Sequence, residues 1–497
     1  MNDHEKSDSV IVAMKPTNKA GNPAAEPAEP RTETKGSASQ QNPNRVQNRV
    51  TGSHALDRVR KVAKERKEER FTSLLHHINP EHLTEAYFDL KRSAAPGVDG
   101  LTWKEYGQED FDLKIADLHG RIHRGTYRAL PARRQYILKA DGTRRPLAIA
   151  TLEDKIVQRA VADVIEAIYE QDFMGFSYGF RPNRGTHDAM DALIVGIDSR
   201  KVNWILDLDI RQFFDSVSHE WLIKFLEHRI ADRRIIRLIQ KWLKVGVLEE
   251  GVVTPGERGT GQGSVVSPLL ANIYLHYVID LWAEHWRRHA ASGAMIIVRY
   301  ADDIVLGFEH EADARRFWNA MQERLEKFSL SLHPDKTRLI EFGRFAADRR
   351  KQKGLGKPET FNFLGFTFIC GKGRTGKFQV RRKSRRDRLK AKLKVIKKEL
   401  QRKMHLPIPS VGKWLAQVVQ GYFAYHAVPN NMPALEELRI RVINLWRRML
   451  RRRSQKDRTT WDRMAKIAND FIPTPKILHP WPRQRFAVRH PRWEPYA

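Results

Sequence analysis

Met295-Ile296-Ile297-Val298-Arg299-Tyr300-Ala301-Asp302-Asp303-Ile304-Val305-Leu306-Gly307-Phe308 reads as two apolar strands joined by a tight turn that carries two adjacent carboxylates. Ile, Val and Leu with few breakers mark strands buried on both faces. Two carboxylates at such a turn are costly, because desolvation and mutual repulsion both oppose ionisation. Unit charges 4 Å apart repel by about 1 kcal/mol in water and about 4 kcal/mol at an effective dielectric of 20. A nearby dication removes that cost. Upstream, Trp204-Ile205-Leu206-Asp207-Leu208-Asp209-Ile210 repeats the theme. Period 2 places Asp207 and Asp209 on one strand face and Leu206 and Leu208 on the other. If that strand lies beside the hairpin, Asp209 meets Asp302 and Asp303, a set suited to hard Mg²⁺ ions that are completed by water and substrate phosphates. Two such ions would clamp the attacking and leaving oxygens of an in-line phosphoryl transfer.

Helical patterns over 153–170 and 311–330 alternate with these strands, which predicts an α+β sheet domain backed by helices. Residues 1–58, rich in Asn, Pro, Ala, Ser and Thr without apolar period, read as a disordered leader, and a helical pattern begins at Leu56. Past 380 the composition turns basic. Residues 381–403 hold 13 Lys or Arg against two acids, with Leu389, Leu393, Ile396 and Leu400 at helical spacing. A second such helix spans Leu435–Leu450, with Trp414, Tyr422, Tyr425 and Trp446 in and between the two. Over 497 residues, 89 Lys and Arg against 59 Asp and Glu leave a net charge of +30, which favours a polyanionic partner. The single cysteine, Cys370, read as a small buried hydrophobe, excludes a disulfide framework and paired-Cys zinc and points to a cytoplasmic protein. The longest apolar run near the N-terminus, Val10–Met14, is too short for a secretory segment or a membrane span. Gly371–Lys377 reads as a hairpin turn rather than a phosphate loop, and His285 and His289 as a solvent-facing pair.

The ordered series of motifs resembles the reverse transcriptases encoded by group II introns, over about residues 59–497. Tyr300-Ala301-Asp302-Asp303 is similar to that family's palm hairpin, and Asp209 with Phe213-Phe214-Asp215 to its first metal-binding strand. Residues 258–273, from Arg258-Gly259-Thr260-Gly261-Gln262-Gly263, resemble its template-and-nucleotide loop, with Gly261 where the family has proline. Ala95-Pro96-Gly97-Val98-Asp99-Gly100 and Gly179-Phe180-Arg181-Pro182-Asn183-Arg184 look like finger motifs; Leu332-His333-Pro334-Asp335-Lys336-Thr337 and Phe363-Leu364-Gly365-Phe366 match those after the hairpin.

The resemblance implies a right-hand polymerase: fingers and palm over 59–375, a helical thumb (maturase, X) domain over 376–455, and a short DNA-binding segment over 456–497 that includes Trp461, Trp481 and Trp493. It implies that Asp209, Asp302, Asp303 and the carbonyl of Ile210 hold two Mg²⁺ ions, and that Lys336 protonates the leaving pyrophosphate. Lys139 and Arg145, with Arg133 as a third candidate, would grip the incoming dNTP. Phe214 would stand under its ribose, with Gln262 in the loop beside it. Implied partners are intron RNA, an RNA template with a DNA primer, and target DNA, but no membrane; the oligomeric state is left open. Many relatives carry a His-Asn-His endonuclease with paired cysteines, which one cysteine cannot build. The implied activity is RNA-directed DNA synthesis that serves intron splicing and mobility. The alternatives are an RNA-binding splicing cofactor with an idle polymerase site, or a related enzyme in a retron, diversity-generating or phage-defence role.

Overall fold

Both faces of the hairpin strands are buried, as their unbroken apolar sequence requires. The structure is a computed structural model and describes residues 56–138, 144–249, 251–254, 256–373, 375–453 and 459–490. Residues 1–55 of the expected leader, Lys139 and Trp493 lie outside the described residues, and residues 56–58, placed in that leader by composition, are the first turn of a helix over 56–65. Along the chain come β1 (Ala132–Leu138), β2 (Arg144–Ile149), β3 (Trp204–Asp209), β4 (Val247–Glu249), β5 (Val252–Thr254), β6 (Met295–Tyr300), β7 (Asp303–Phe308), β8 (Arg338–Glu341), β9 (Phe361–Phe363), β10 (Phe366–Lys372) and β11 (Phe378–Ser384).

The central sheet has the order β6-β7-β3-β8, with every neighbouring pair antiparallel. One face carries Leu206, Leu208, Ile297, Ile304 and Leu306 into a large core shared with helices Leu152–Tyr169, Ser267–Leu275 and Glu311–Lys327. The other carries Ile205, Val298, Val305 and Ile340 against helix Thr186–Ser199 and the phenylalanines of β9 and β10. A second sheet, β2-β1-β4-β5, extends from the domain before and after β3, and a third, β11-β10-β9, packs beyond the central sheet. The β9–β10 turn has positive φ at both Leu364 and Gly365 (46° and 82°), the two-residue geometry that matches strand twist.

Four helices follow: Arg386–Arg402, Ile408–His426, Met432–Arg451 and Trp461–Phe471. Leu389, Leu393, Ile396 and Leu400 point into their shared core, as the spacing predicts. Three expectations need correction here. The helical part begins at Arg386 rather than 376, because residues 378–384 complete a hairpin with β10. The basic run 381–384 is therefore strand: Val380, Arg382 and Ser384 are buried on alternate positions. Trp446 is a fully buried core side chain, and Cys370 is half-buried rather than buried, its thiol pushed up to about 11 by burial. Gly371 and Lys372 end β10, and Gly373 N donates to the Lys377 carbonyl at 2.8 Å across the hairpin turn to β11; His285 and His289 lie on the exposed side of their helix with stacked rings, both as read from sequence.

The last described helix, Pro482–Arg489, folds back onto Thr186–Ser199. Arg485 donates to Asp191 at 2.6 Å and Arg489 to Asp188 at 2.8 Å. The other Asp191 oxygen accepts from Arg382 at 3.0 Å, so one carboxylate, 2% exposed, joins helix, β11 and C-terminal segment.

Candidate active site

Register brings the carboxylates together. Asp209, the last residue of β3, lies directly opposite Asp303, the first of β7, where antiparallel side chains are close neighbours. Asp302 occupies the two-residue turn between Tyr300 and Asp303. Ala301 before it has φ of 56°, a left-handed conformation that disfavours an L residue by roughly 1–2 kcal/mol.

The surroundings hold that turn in place. Gly179 packs so tightly on it that an added Cβ would lie 2.3 Å from the Ala301 nitrogen. Beneath lies Arg299, fully buried, whose guanidinium makes five hydrogen bonds. Nε and Nη2 donate to the two oxygens of Asp280 at 2.7 and 2.6 Å, and Nη2 also to Ser177 Oγ at 2.6 Å. Nη1 donates to Asn272 Oδ1 at 3.0 Å and to the Ala301 carbonyl at 3.1 Å. Asn272 in turn donates to the Gly179 carbonyl at 2.7 Å. Asp280 reaches this hub from a π-helical segment, His276–Asp280, a local rewinding that often occurs at functional positions. The sequence reading missed Arg299, Asp280, Asn272 and Ser177. The available signal was a lone arginine inside a strand buried on both faces, which must be paired.

The electrostatics agree with a site built for cations. Burial and the neighbouring charges of Asp302 and Asp209 push Asp303 up to about 6, although solvent reaches its end of the sheet; Arg388 and Arg385, at the start of the first bundle helix, oppose the shift. Asp302 is raised by burial and by Asp209, against Arg145 and Arg299. Asp207 rises to about 7, chiefly through burial, with its neighbour Arg338 opposing. Lys336 Nζ sits 3.1 Å from Asp209 Oδ2, and its side chain is more than half exposed. Among the described residues no three His, Cys, Asp or Glu side chains are gathered tightly enough to enclose an ion. Mg²⁺ does not require such a cage, since one or two carboxylates with waters and phosphates suffice, and an all-oxygen set in mutual repulsion fits it. Ile210 forms a bridge with Leu332 in which Arg211 and His333 make the flanking bonds. The carbonyl of Ile210 is thereby turned from Leu332, toward the hairpin side of β3.

Phe213 is buried in the core, while Phe214 is half-exposed and its carbonyl accepts from Thr260 N at 2.7 Å. The Gln262 carbonyl accepts from Ala148 N at 2.6 Å, docking the loop on β2. Gln158 accepts from Ser264 Oγ and Val265 N at 2.9 and 3.1 Å, so side-chain bonds fasten the loop that lacks a proline at Gly261. Arg145 is exposed on β2 and its charge is felt at Asp302. Arg133 is engaged locally, its Nη2 donating to the Pro96 carbonyl at 2.9 Å. Asp209, Asp302, Asp303 and Lys336 are thus brought together, the carbonyls of Phe214 and Gln262 accept from Thr260 and Ala148 respectively, and Arg133 is tied to the 95–100 segment.

Residues 137–368 match the family model described as reverse transcriptase (RNA-dependent DNA polymerase). Protein YkfC of Escherichia coli (strain K12) is 33% identical over 349 residues, 63% of this chain and 86% of that protein. Group II intron-encoded protein LtrA of Lactococcus lactis subsp. cremoris is 36% identical over 226 residues, 44% of this chain but 37% of its own length. A 91 kDa protein in the cob intron of Schizosaccharomyces pombe is 45% identical over 146 residues, 29% of this chain and 18% of that protein. With an acidic hairpin opposite an acidic strand end at the heart of the matched region, the chain belongs to the reverse transcriptase (RNA-dependent DNA polymerase) family.

Proposed function

We propose that the protein is the RNA-directed DNA polymerase of a group II intron, that it also binds the intron RNA, and that it assists splicing and insertion at target DNA. The observation that carries the reading is the pairing of Asp209 with Asp303 beside a turn that fixes Asp302. In this reading the central sheet is the palm, β1 and β2 belong to the fingers, helices Arg386–Arg402, Ile408–His426 and Met432–Arg451 form the thumb, and Trp461–Phe471, which joins their core, belongs to the DNA-binding segment. Asp209, Asp302, Asp303 and the Ile210 carbonyl would hold two Mg²⁺ ions, which when bound neutralise the charge of the reacting oxygens.

The chain's own groups do the remaining work. The primer 3′-hydroxyl gives up its proton to solvent as its oxygen bonds the α-phosphorus of a dNTP, the bond from that phosphorus to the oxygen bridging to the β-phosphate breaks, and pyrophosphate leaves. Lys336, an ammonium within reach of Asp209, gives a proton to the departing oxygen. Arg145 and Lys139 grip the triphosphate, the first as a planar fork and the second as a point charge. Arg133, engaged with Pro96, positions the neighbouring segment. Phe214 lies under the ribose and Gln262 beside the templating base pair. The basic face of the bundle tracks phosphates, with recognition of RNA resting on shape, 2′-hydroxyls and unpaired loops. No described helix is long and apolar enough to cross a membrane; a cytoplasmic site of action follows from the intron reading.

The test is primer extension by the purified protein on an RNA template with dNTPs and Mg²⁺. The Asp302→Ala variant should make no cDNA while still binding intron RNA. Extension by that variant would remove Asp302 from the site, and a wild-type protein that supports splicing but extends nothing would favour the cofactor alternative.

A further inference from the structure

A cleft of about 430 Å³ lies where the segment after the 56–65 helix meets helices His219–Glu227 and Arg233–Lys244. Its charged lining is Arg70, Arg233 and Arg237 against the single acid Glu227, over a floor of Ile230 and Ile236. Arg70 is held by its Nε bond to the Glu227 carbonyl at 3.0 Å. Arg233 and Arg237 are exposed and have no ion-pair or hydrogen-bond partner among the described residues. Like charges at i and i+4 on a helix repel, and a third guanidinium across the cleft adds to the strain. Such a cluster is stabilised by an anion.

The frame is rigid. Phe71 N donates to the Arg229 carbonyl and Ala231 N to the Phe71 carbonyl, both at 2.8 Å. Arg229, fully buried, donates to the carbonyls of Ala63 and Arg66 at 3.1 and 3.2 Å and pairs with Asp172. The cleft is also remote from the carboxylates. His219, at the near end of its helix, bonds the Gly259 carbonyl beside Phe214, whereas Glu227 is at the far end, roughly 13 Å along nine residues. A triphosphate held at the active site cannot fill it. The positive face continues along the second helix through exposed Arg234 to Lys244, while Ile235, Leu238, Ile239 and Leu243 are buried beneath. A small anion would use the cleft alone. A polyanion would use cleft and helix together, with arginine forks suited to successive phosphates.

We propose that this cleft and the exposed face of helix Arg233–Lys244 dock the phosphodiester backbone of folded RNA at a place separate from the template–primer path. The proposal rests on the reading of the protein as one that holds structured RNA while it copies. The test compares wild type with Arg233→Glu/Arg237→Glu and Arg233→Lys/Arg237→Lys, measuring affinity against salt for a long folded RNA transcript, a DNA duplex of equal length, and a short RNA template annealed to a DNA primer. With two phosphates no longer neutralised, the charge-reversed variant should lower the slope of log affinity against log salt by roughly 1.5 on folded RNA. It should bind that RNA at least about tenfold more weakly at low salt. Extension of the short template and the thermal midpoint should not change, and the lysine variant should keep most of the slope. An unchanged slope on folded RNA overturns the proposal. So does an equal loss on the DNA duplex, or a parallel loss of extension on the short template with an unchanged melt. A wild-type protein that extends no primer refutes the polymerase assignment instead and leaves the RNA comparison readable.

Discussion

Arg299→Met is the substitution that most directly tests how the active-site turn is held. The native guanidinium satisfies five acceptor contacts with its five N–H groups, and both it and Asp280 are fully buried. Methionine fills similar volume but leaves Asp280 as a buried unpaired carboxylate, a loss of about 3–5 kcal/mol when one partner of a buried pair is removed. Asn272 and the Ala301 carbonyl each lose a donor as well, at about 1–3 kcal/mol per unsatisfied group. Where Asn272 and Ala301 relax or admit water, the loss falls toward the lower end, so a destabilisation of about 4 kcal/mol is the expectation. Arg299→Lys should fall between, since three donors from one point cannot reproduce the fork. Urea unfolding gives the stability, and primer extension well below the melting transition gives the activity of the folded fraction. That activity should drop too, because the Ala301 carbonyl anchors the residue before Asp302. The double variant Arg299→Met/Asp280→Leu removes both charges and should recover much of the stability without recovering activity. Arg299→Met with wild-type stability and extension would refute the account, and a double variant no more stable than the single one would show that the buried pair is not the source of the loss.

Three shorter predictions rest on other parts of the molecule. Phe214→Ala should admit ribonucleotides more readily, by roughly tenfold or more in relative kcat/KM, the scale set by reshaping a substrate pocket; unchanged discrimination in single-nucleotide incorporation removes Phe214 from that role. Asp191→Ala should destabilise more than Arg485→Ala, because it strands the buried Arg382 while the latter leaves Asp191 one guanidinium; thermal unfolding of the two variants in the reverse order would contradict the three-way junction. His276 is buried and held down to about 3 by burial, with Arg299 and Arg181 adding to the effect. Its unfolded ring binds a proton below about 6.5 and its folded ring does not until about 3, so stability falls as pH drops through that window, by about 2 kcal/mol at pH 5. His276→Gln should lose less stability than wild type between pH 7 and 5 in urea melts, and an identical acid loss in both would refute the assignment.

The central sheet was legible because burial on both faces leaves an unbroken apolar run, and because Asp209, Asp302 and Asp303 interrupt such runs where the strands end. The helical bundle was legible through the spacing of Leu389, Leu393, Ile396 and Leu400. Its start was not, because the charges of Arg381, Arg382 and Lys383 suit a helix face as well as a strand edge, and only the pairing with β10 decides. The hub under the turn escaped notice for a different reason. Ser177, Asn272, Asp280 and Arg299 are spread over more than a hundred positions, each a single polar residue among apolar ones, and their relation exists only in three dimensions. The bond from Arg133 to the Pro96 carbonyl is likewise a relation across 37 positions that only the fold creates.

The junction at Asp191 also has a place in time. Asp191 and Arg485 are 294 positions apart. At ribosomal rates of about 5–20 residues per second, roughly 15–60 s separate the synthesis of the carboxylate from that of its second guanidinium. During that interval helix Thr186–Ser199 is covered on one side by the sheets and bare where Pro482–Arg489 will lie, so the nascent catalytic body waits with an unfinished surface. Newly made protein should be most open to proteolysis and to chaperones at that helix, and a slow final step in maturation should be the docking of the C-terminal segment rather than the pairing of the catalytic strands.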